Sequence, residues 1–240
     1  MLTSTEGIVL SVIKYGETSV IATIFTKESG RQSYIINSVR SRRAKNRLIL
    51  QPLFLVDVEA YHKETRDIQR VKEIKNFPVY QNIPFDVRKS AQVFFLAEIL
   101  NKTLREQESY PEMFSFLKNS LLFFDLDESP AVNFHLYLLF HLTEYLGFLP
   151  DMRFTASEGW FDLHKGVVVD CEPSHMFYAN RDATVALCRL STLKIGELSR
   201  FTISHSMRGY LTSKLVEYYK LHFEHLGEIK SLKVLQELFS

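Results

Sequence analysis

The sequence predicts an α+β protein in two parts. An N-terminal five-stranded β-barrel of the OB-fold kind covers residues 1–80, and an α-helical bundle domain covers residues 81–240. Three observations carry this. The first eighty residues hold short β-branched and apolar runs, partly alternating with period two and separated by polar turns. Beyond Asn82 the apolar residues recur every three or four positions, the spacing of a helix lying on a core. Between two of the strand-like runs stand five cations with no acid among them: Arg40, Arg42, Arg43, Lys45 and Arg47. Five like charges cannot enter a core, so they face water or a polyanion.

Each element follows from local pattern. Strands are expected over 7–13, 19–25, 33–39, 53–61 and 68–74, with turns at Tyr15-Gly16-Glu17-Thr18 and Lys27-Glu28-Ser29-Gly30. Five short strands of this kind fit a small closed barrel. An OB-fold is the natural choice, and an SH3-like barrel also fits. A first helix is expected from Asn82-Ile83-Pro84, with Pro84 in its first turn and rows Ala91, Phe95, Ile99 and Leu96, Leu100, Leu104. A second covers 111–124, before an acidic loop at Asp125-Leu126-Asp127-Glu128. Ser129-Pro130 is expected to open a third helix and Gly147 to close it. That helix is apolar nearly all round, which places it at the centre of a bundle. Residues 151–180 read as a non-helical insert with a short hairpin through 166–169. Helices are expected again over 182–190, 201–226 and 231–239, with Gly227 as a C-cap.

Composition narrows the function. Of 240 residues, 46% are hydrophobic and 13% aromatic, enough for a core. The net charge of +1 hides an asymmetry. Residues 1–80 carry thirteen Lys/Arg against eight Asp/Glu, and the rest carries sixteen against twenty. A basic front on an acidic body argues for an anion-binding N-terminal face. Two cysteines, Cys171 and Cys188, form no disulfide framework and fit a reducing compartment. No signal peptide is read after Met1. The most apolar window, 131–149, contains Asn133, His135, His141 and Glu144, so a buried helix is expected there rather than a membrane span. The reading is a soluble, cytoplasmic protein.

Catalytic patterns are weak. There is no Gly-rich phosphate loop and no Gly-x-Ser-x-Gly elbow. Cys171 and His175, with His164 and Cys188 nearby in sequence, lack the closely spaced pairs of a structural zinc site, and a buried cysteine acting as a small hydrophobe is the plainer reading. His222 and His225 read as ordinary helix histidines, and Asp125, Asp127 and Glu128 as charge favoured before a helix start. Tyr15, Tyr34 and Phe25 lie on or beside strands. Tyr15, in a turn, is the best placed to stack on a base.

Several stretches, in order along the whole chain, resemble the bacterial RecO recombination-mediator family: Glu6-Gly7-Ile8-Val9-Leu10 with Tyr15-Gly16-Glu17-Thr18, Ile24 through Arg31, the basic segment 39–47, Leu50-Gln51-Pro52-Leu53, Tyr145 through Pro150, and Ile229 through Leu235. The resemblance implies an N-terminal OB-fold and a helical C-terminal domain in a DNA-repair protein that binds single- and double-stranded DNA and anneals complementary strands. It implies RecR and the acidic, hydrophobic C-terminal tail of single-stranded DNA-binding protein as partners, help in loading RecA, and a place with the nucleoid. It implies no catalytic residue, no cofactor and no membrane. Many members carry a four-cysteine zinc site in the insert. Here the corresponding positions fall on Thr155 and Glu158 and around 169–172, where only Cys171 is a cysteine. No zinc is therefore expected, with Trp160, Phe161 and Val167 to Val169 holding the insert instead.

The DNA surface is expected from Arg40, Arg42, Arg43, Lys45 and Arg47, with Arg31, Lys14 and Tyr15 near the path. A second reading is a protein-interaction adaptor whose helical body takes a partner's tail, with Arg208, Lys214 and Lys220 as its cations. A third, a metal-dependent hydrolase using His164, Cys171, His175 or the acidic loop, has little in the sequence behind it.

Overall fold

The computed structural model describes residues 1–37, 39, 50–63, 65–105, 108–128, 132–153 and 159–238. Arg40, Arg42, Arg43, Lys45, Arg47, the Ser129-Pro130 pair, Thr155 and Glu158 lie outside the described residues. The chain forms two compact units, Met1–Asp125 and Leu126–Ser240.

The first unit is built on a closed barrel of β1 (Leu2–Tyr15), β2 (Ser19–Thr26), β3 (Gly30–Ile36), β4 (Leu55–Tyr61) and β5 (Ile68–Asn76). The strand order is β1-β2-β3-β5-β4, closed by β1 pairing with β4. Only the β3–β5 pair is parallel. Five strands closed in this Greek-key order are OB-like, and the SH3-like alternative drops out. The period-two pattern becomes the core: Val9, Val20, Ala22, Ile24, Tyr34, Ile36, Val56, Val58, Ala60 and Ile74 are all buried. β1 begins five residues before its apolar run because Leu2 to Glu6 are zipped to Asp57 to Tyr61, a pairing no local pattern announces.

Two helices complete this unit, α1 (Val87–Thr103) and α2 (Pro111–Leu126). Both predicted rows of α1, Ala91-Phe95-Ile99 and Leu96-Leu100-Leu104, are buried. Its start differs from the expectation at Pro84. Asp86 is the cap, accepting from the Arg88 and Lys89 amides at 2.7 and 3.1 Å. The 82–84 stretch is instead held by Asp125. That residue is no loop acid: it lies in the last turn of α2, 2% exposed, and takes the backbone amides of Gln81, Asn82 and Ile83 at 2.7, 2.9 and 2.8 Å. Lys89, also buried, donates to the Phe124 and Asp125 carbonyls at the same helix end.

The second unit centres on α3 (Phe134–Tyr145), where Phe134, Leu136, Leu138, Leu139, Phe140 and Leu142 are at most 1% exposed. Its apolar circumference meets neighbours on several sides, as expected of a central helix. Gly147, at φ +82°, turns the chain out of it. The insert is a three-stranded sheet of β6 (Trp160–Asp162), β7 (Val167–Val169) and β8 (Tyr178–Ala179), ordered β7-β6-β8. Phe161, Asp162, Val168 and Ala179 are its buried members, and Arg181 stacks over Trp160 at 4.0 Å.

Then come α4 (Arg181–Ser191), a 3₁₀ turn (Ile195–Arg200), α5 (His205–His222) and α6 (Ser231–Leu238). The single helix expected over 201–226 is shorter at both ends, because Ser204 caps α5 through the Met207 amide and the helix closes at Phe223. Gly227, at φ +64°, therefore shapes the connection to α6 rather than capping α5. His225 lies beyond the helix, so it does not share a helical face with His222. Cys171 is exposed rather than buried, and Cys188 is intermediate.

Candidate nucleic-acid interface on the barrel

The free end of the β1–β2 hairpin carries Lys14 and Tyr15, both exposed. Tyr15 closes β1 opposite Ser19, and the turn itself is Gly16 to Thr18. Ser19 Oγ donates to Asn37 Oδ1 at 3.1 Å. Asn37, which follows β3, is thus held across β2 from Lys14 and Tyr15. Leu50, where the described chain resumes, packs against the barrel core.

A second polar corner lies between β4 and β5. Gln69, 2% exposed, staples it: its amide donates to the carbonyls of Lys63 and Arg66 at 3.0 and 2.6 Å and accepts from the Lys63 amide at 2.9 Å. The staple fixes a short loop bearing Lys63 and Arg66, both exposed.

Two groups of cations stand out on this unit. Lys27, Lys72, Lys75 and Lys118 each have a carboxylate within 4.0 Å. Among the described residues Lys14, Lys63, Arg66 and Arg70 have no such partner. Unpaired, exposed cations are the ones available to phosphate without first breaking an ion pair.

Arg31 has a structural occupation. Its Nη1 donates to the carbonyls of Asn101 and Leu104, both at 2.8 Å, closing the C-terminal end of α1. Burial and the neighbouring Arg105 lower its pKa. Tyr34 and Phe25 are core rings, and burial, with Glu28 nearby, pushes the Tyr34 hydroxyl up to about 12. Lys63, Arg66 and Arg70 are surface residues that strand-pattern reading passed over. Arg70 stands in plain view in the alternation of β5, but which strands flank β5 is not written locally.

The profile described as Recombination protein O N terminal matches residues 1–77, and that described as Recombination protein O C terminal matches residues 84–233. The chain belongs to the RecO family. Among similar proteins called DNA repair protein RecO are those of Bacteroides fragilis, 34% identical over 241 residues, and Flavobacterium psychrophilum, 35% identical over 243 residues. That of Phocaeicola vulgatus is 32% identical over 241 residues, and in all three cases the match covers the whole of both chains.

In this member of the RecO family the three cations expected to receive a partner's tail do not converge. Lys214 and Lys220 stand six and twelve residues beyond Arg208 on α5. At about 100° per residue these offsets point to three separate faces of the helix. Lys214 pairs with Glu217 at 2.8 Å and Lys220 is exposed. Arg208 alone faces a cavity of about 60 Å³, shared with His135, Gly209, Thr212 and Leu235. Its Nε donates to Asn133 Oδ1 at 2.8 Å, which fixes the guanidinium at the cavity wall.

In the insert, the Asp162 carboxylate accepts the His164 and Lys165 amides at 2.9 and 3.1 Å and lies 3.4 Å from His175 Nε2. Among the described residues no group of three His, Cys, Asp or Glu has a geometry that would hold a metal.

Proposed function

We propose that this RecO-family chain is a DNA-repair recombination mediator that acts without catalysis of its own. On this reading its barrel part, residues 1–80, binds single- and double-stranded DNA through backbone phosphates, and residues 81–240, including the insert over 151–180, engage protein partners. Strand annealing follows from charge. A cationic surface holding two strands lowers their repulsion and raises their local concentration. With RecR it would then help load RecA on DNA coated by single-stranded DNA-binding protein, in the bacterial cytoplasm and with the nucleoid.

The observation that carries the reading is a set of exposed, unpaired cations on an OB-like barrel. Lys14 and Tyr15 close the β1–β2 hairpin, and among the described residues Lys14, Lys63, Arg66 and Arg70 are exposed cations with no carboxylate partner, on the same unit as the sequence run Arg40, Arg42, Arg43, Lys45 and Arg47. Arg31 contributes by holding β3 to α1.

The test is an anisotropy titration with single-stranded and duplex oligonucleotides across a salt series. Arg42→Glu with Arg43→Glu should weaken both and flatten the single-strand dependence of log K on log salt by about 1.4, from about 0.7 for each lost phosphate contact. A double variant that titrates like the parent removes the basic run from the interface. Annealing of complementary strands coated with their binding protein should fall in parallel.

The cavity at Arg208 favours an additional reading, a slot for a partner's acidic, hydrophobic tail. Calorimetry with such a tail peptide should lose its heat in Arg208→Ala and keep it in Lys220→Ala. Loss in Lys220→Ala instead would move the slot elsewhere.

A further inference from the structure

Residues 81–240 carry more acids than cations, yet one cleft among them is lined by two arginines. It lies in the second unit, between the end of α4 and the 3₁₀ turn, and has a volume of about 270 Å³. Its walls are Arg189, Thr192, Leu193, Glu197, Arg200 and Phe201. It shares no lining residue with the cavity at Arg208.

The cleft is built from inside the bundle. Phe201 is buried, and its carbonyl accepts from Nδ2 of buried Asn133 at 2.6 Å. Its ring is therefore a fixed shelf, and the Arg189 guanidinium lies over it at 5.6 Å. A guanidinium held through its face keeps the N–H donors of its rim available. A cation near the end of a helix ordinarily turns back to the last carbonyls. Among the described residues the Arg189 side chain makes no such bond and has no carboxylate within 4.0 Å. Arg200 ends the 3₁₀ turn, largely exposed, with Nη1 4.0 Å from Glu197 Oε1. That acid is tied to the turn, since its Oε2 accepts the Lys194 amide at 3.3 Å. The Thr192 hydroxyl gives its proton to the Arg189 carbonyl at 3.2 Å. The cleft thus offers two guanidiniums against one carboxylate.

These groups select an anion and its kind. A carboxylate has two oxygens and one charge, and a single guanidinium satisfies it. Two guanidiniums match a group with three terminal oxygens and about two charges, which is a phosphate monoester. The volume falls below the roughly 300 Å³ at which pockets for drug-sized molecules begin, so it suits a phosphate and little beyond it. The acidic surroundings oppose a long polyanion lying across them. At the cleft itself the two nearby arginines outweigh those more distant, screened acids. We propose that the Arg189–Arg200 cleft binds a phosphate monoester, either as the free ion or as the terminal group of a nucleotide. The site is independent of the DNA surface read on the barrel.

Calorimetry at low ionic strength tests this, with inorganic phosphate, thymidine 5′-monophosphate, thymidine and acetate titrated into the full chain. Phosphate or the monophosphate should saturate the protein, acetate should bind more weakly, and thymidine should give no heat. A tighter monophosphate assigns the site to the ester, and equal affinities assign it to the free ion. Arg189→Gln and Arg200→Gln should each weaken binding by about tenfold or more, the order expected for a lost charge-assisted hydrogen bond. Glu197→Gln should tighten it, because the one anion of the lining is removed while an acceptor for the Lys194 amide remains. A loss of structure cannot produce that gain. Arg181→Gln, an arginine outside the cleft, and Arg42→Glu with Arg43→Glu on the barrel should titrate as the parent. Circular dichroism and thermal unfolding verify each fold. The proposal is overturned if neither phosphate saturates at millimolar concentration, or if both cleft variants bind as the parent does. It also falls if acetate or thymidine binds as tightly as the phosphates, or if the barrel variant abolishes binding, which would place the anion there.

Discussion

His135 is fully buried in the second unit, and its ring is kept neutral by its surroundings. Thr212 Oγ1 donates its one proton to the Arg208 carbonyl at 2.8 Å, so the 2.9 Å contact with His135 Nε2 requires the ring to be the donor. Burial first, and the Arg208 charge second, lower its pKa to about 3. The unfolded chain binds a proton at this ring below about pH 6.5, whereas the folded chain does not until about pH 3. Stability is therefore complete above that upper value and falls with acidification across the window, by at most about 1.4 kcal/mol per pH unit. Urea unfolding from pH 7 to pH 4 should show this decline, and His135→Gln should flatten it. Asp125 makes a different prediction. Asp125→Ala leaves three amides at residues 81–83 without their acceptor and should cost about 3 kcal/mol or more, read as a lower urea midpoint at constant m. Neither role is legible in the sequence, because each depends on partners some forty to eighty residues away. The divergence of Arg208, Lys214 and Lys220 was legible, since their spacing on a helix already sends them to different faces.

Among the elements, the β2–β3 turn shows how the barrel acquires its helices. Gly30 has φ +57°, and a Cβ there would stand 2.1 Å from the Glu108 carbonyl oxygen. Next to it Arg31 reaches two carbonyls at the end of α1, Ser109 Oγ donates to the Lys27 carbonyl at 2.8 Å, and Phe25 packs on Phe114 of α2 at 6.0 Å. Gly16 is the natural control, since its φ is +62° and nothing lies within 4 Å of its Cβ position. Gly16→Ala should therefore cost only conformational strain, on the order of 1 kcal/mol. Gly30→Ala adds a backbone clash and should lower the thermal midpoint by clearly more than Gly16→Ala. Equal losses would show that the Glu108 contact gives way freely. Strand and helix identity at this scale is readable from period, as the rows of α1 and the five barrel strands show. Boundaries are less so, because a cap such as Asp86 or Ser204 outweighs the apolar pattern around it. The joint at Gly30 is invisible in sequence, where Lys27-Glu28-Ser29-Gly30 reads only as a turn.

For the whole molecule, the split of charge between basic front and acidic body needs nothing beyond composition, and a barrel follows from the strand count. Its closure does not, for Leu2 meets Tyr61 and Ile35 meets Arg70 across long stretches of chain. Among the described residues no helix is long and apolar enough to cross a membrane, in keeping with the polar groups read in the 131–149 window. Closure also has a consequence during synthesis. The first three strands can pair as soon as they are made, whereas the outer edges of β1 and β3 wait for β4 and β5. At about 5–20 residues per second, the forty residues from Ile36 to Asn76 take roughly 2–8 s to elongate. For that interval the nascent chain presents an open three-stranded meander with two unsatisfied edges. Until the strand that completes the ring has emerged from the ribosome, those two edges are open templates for pairing with another chain.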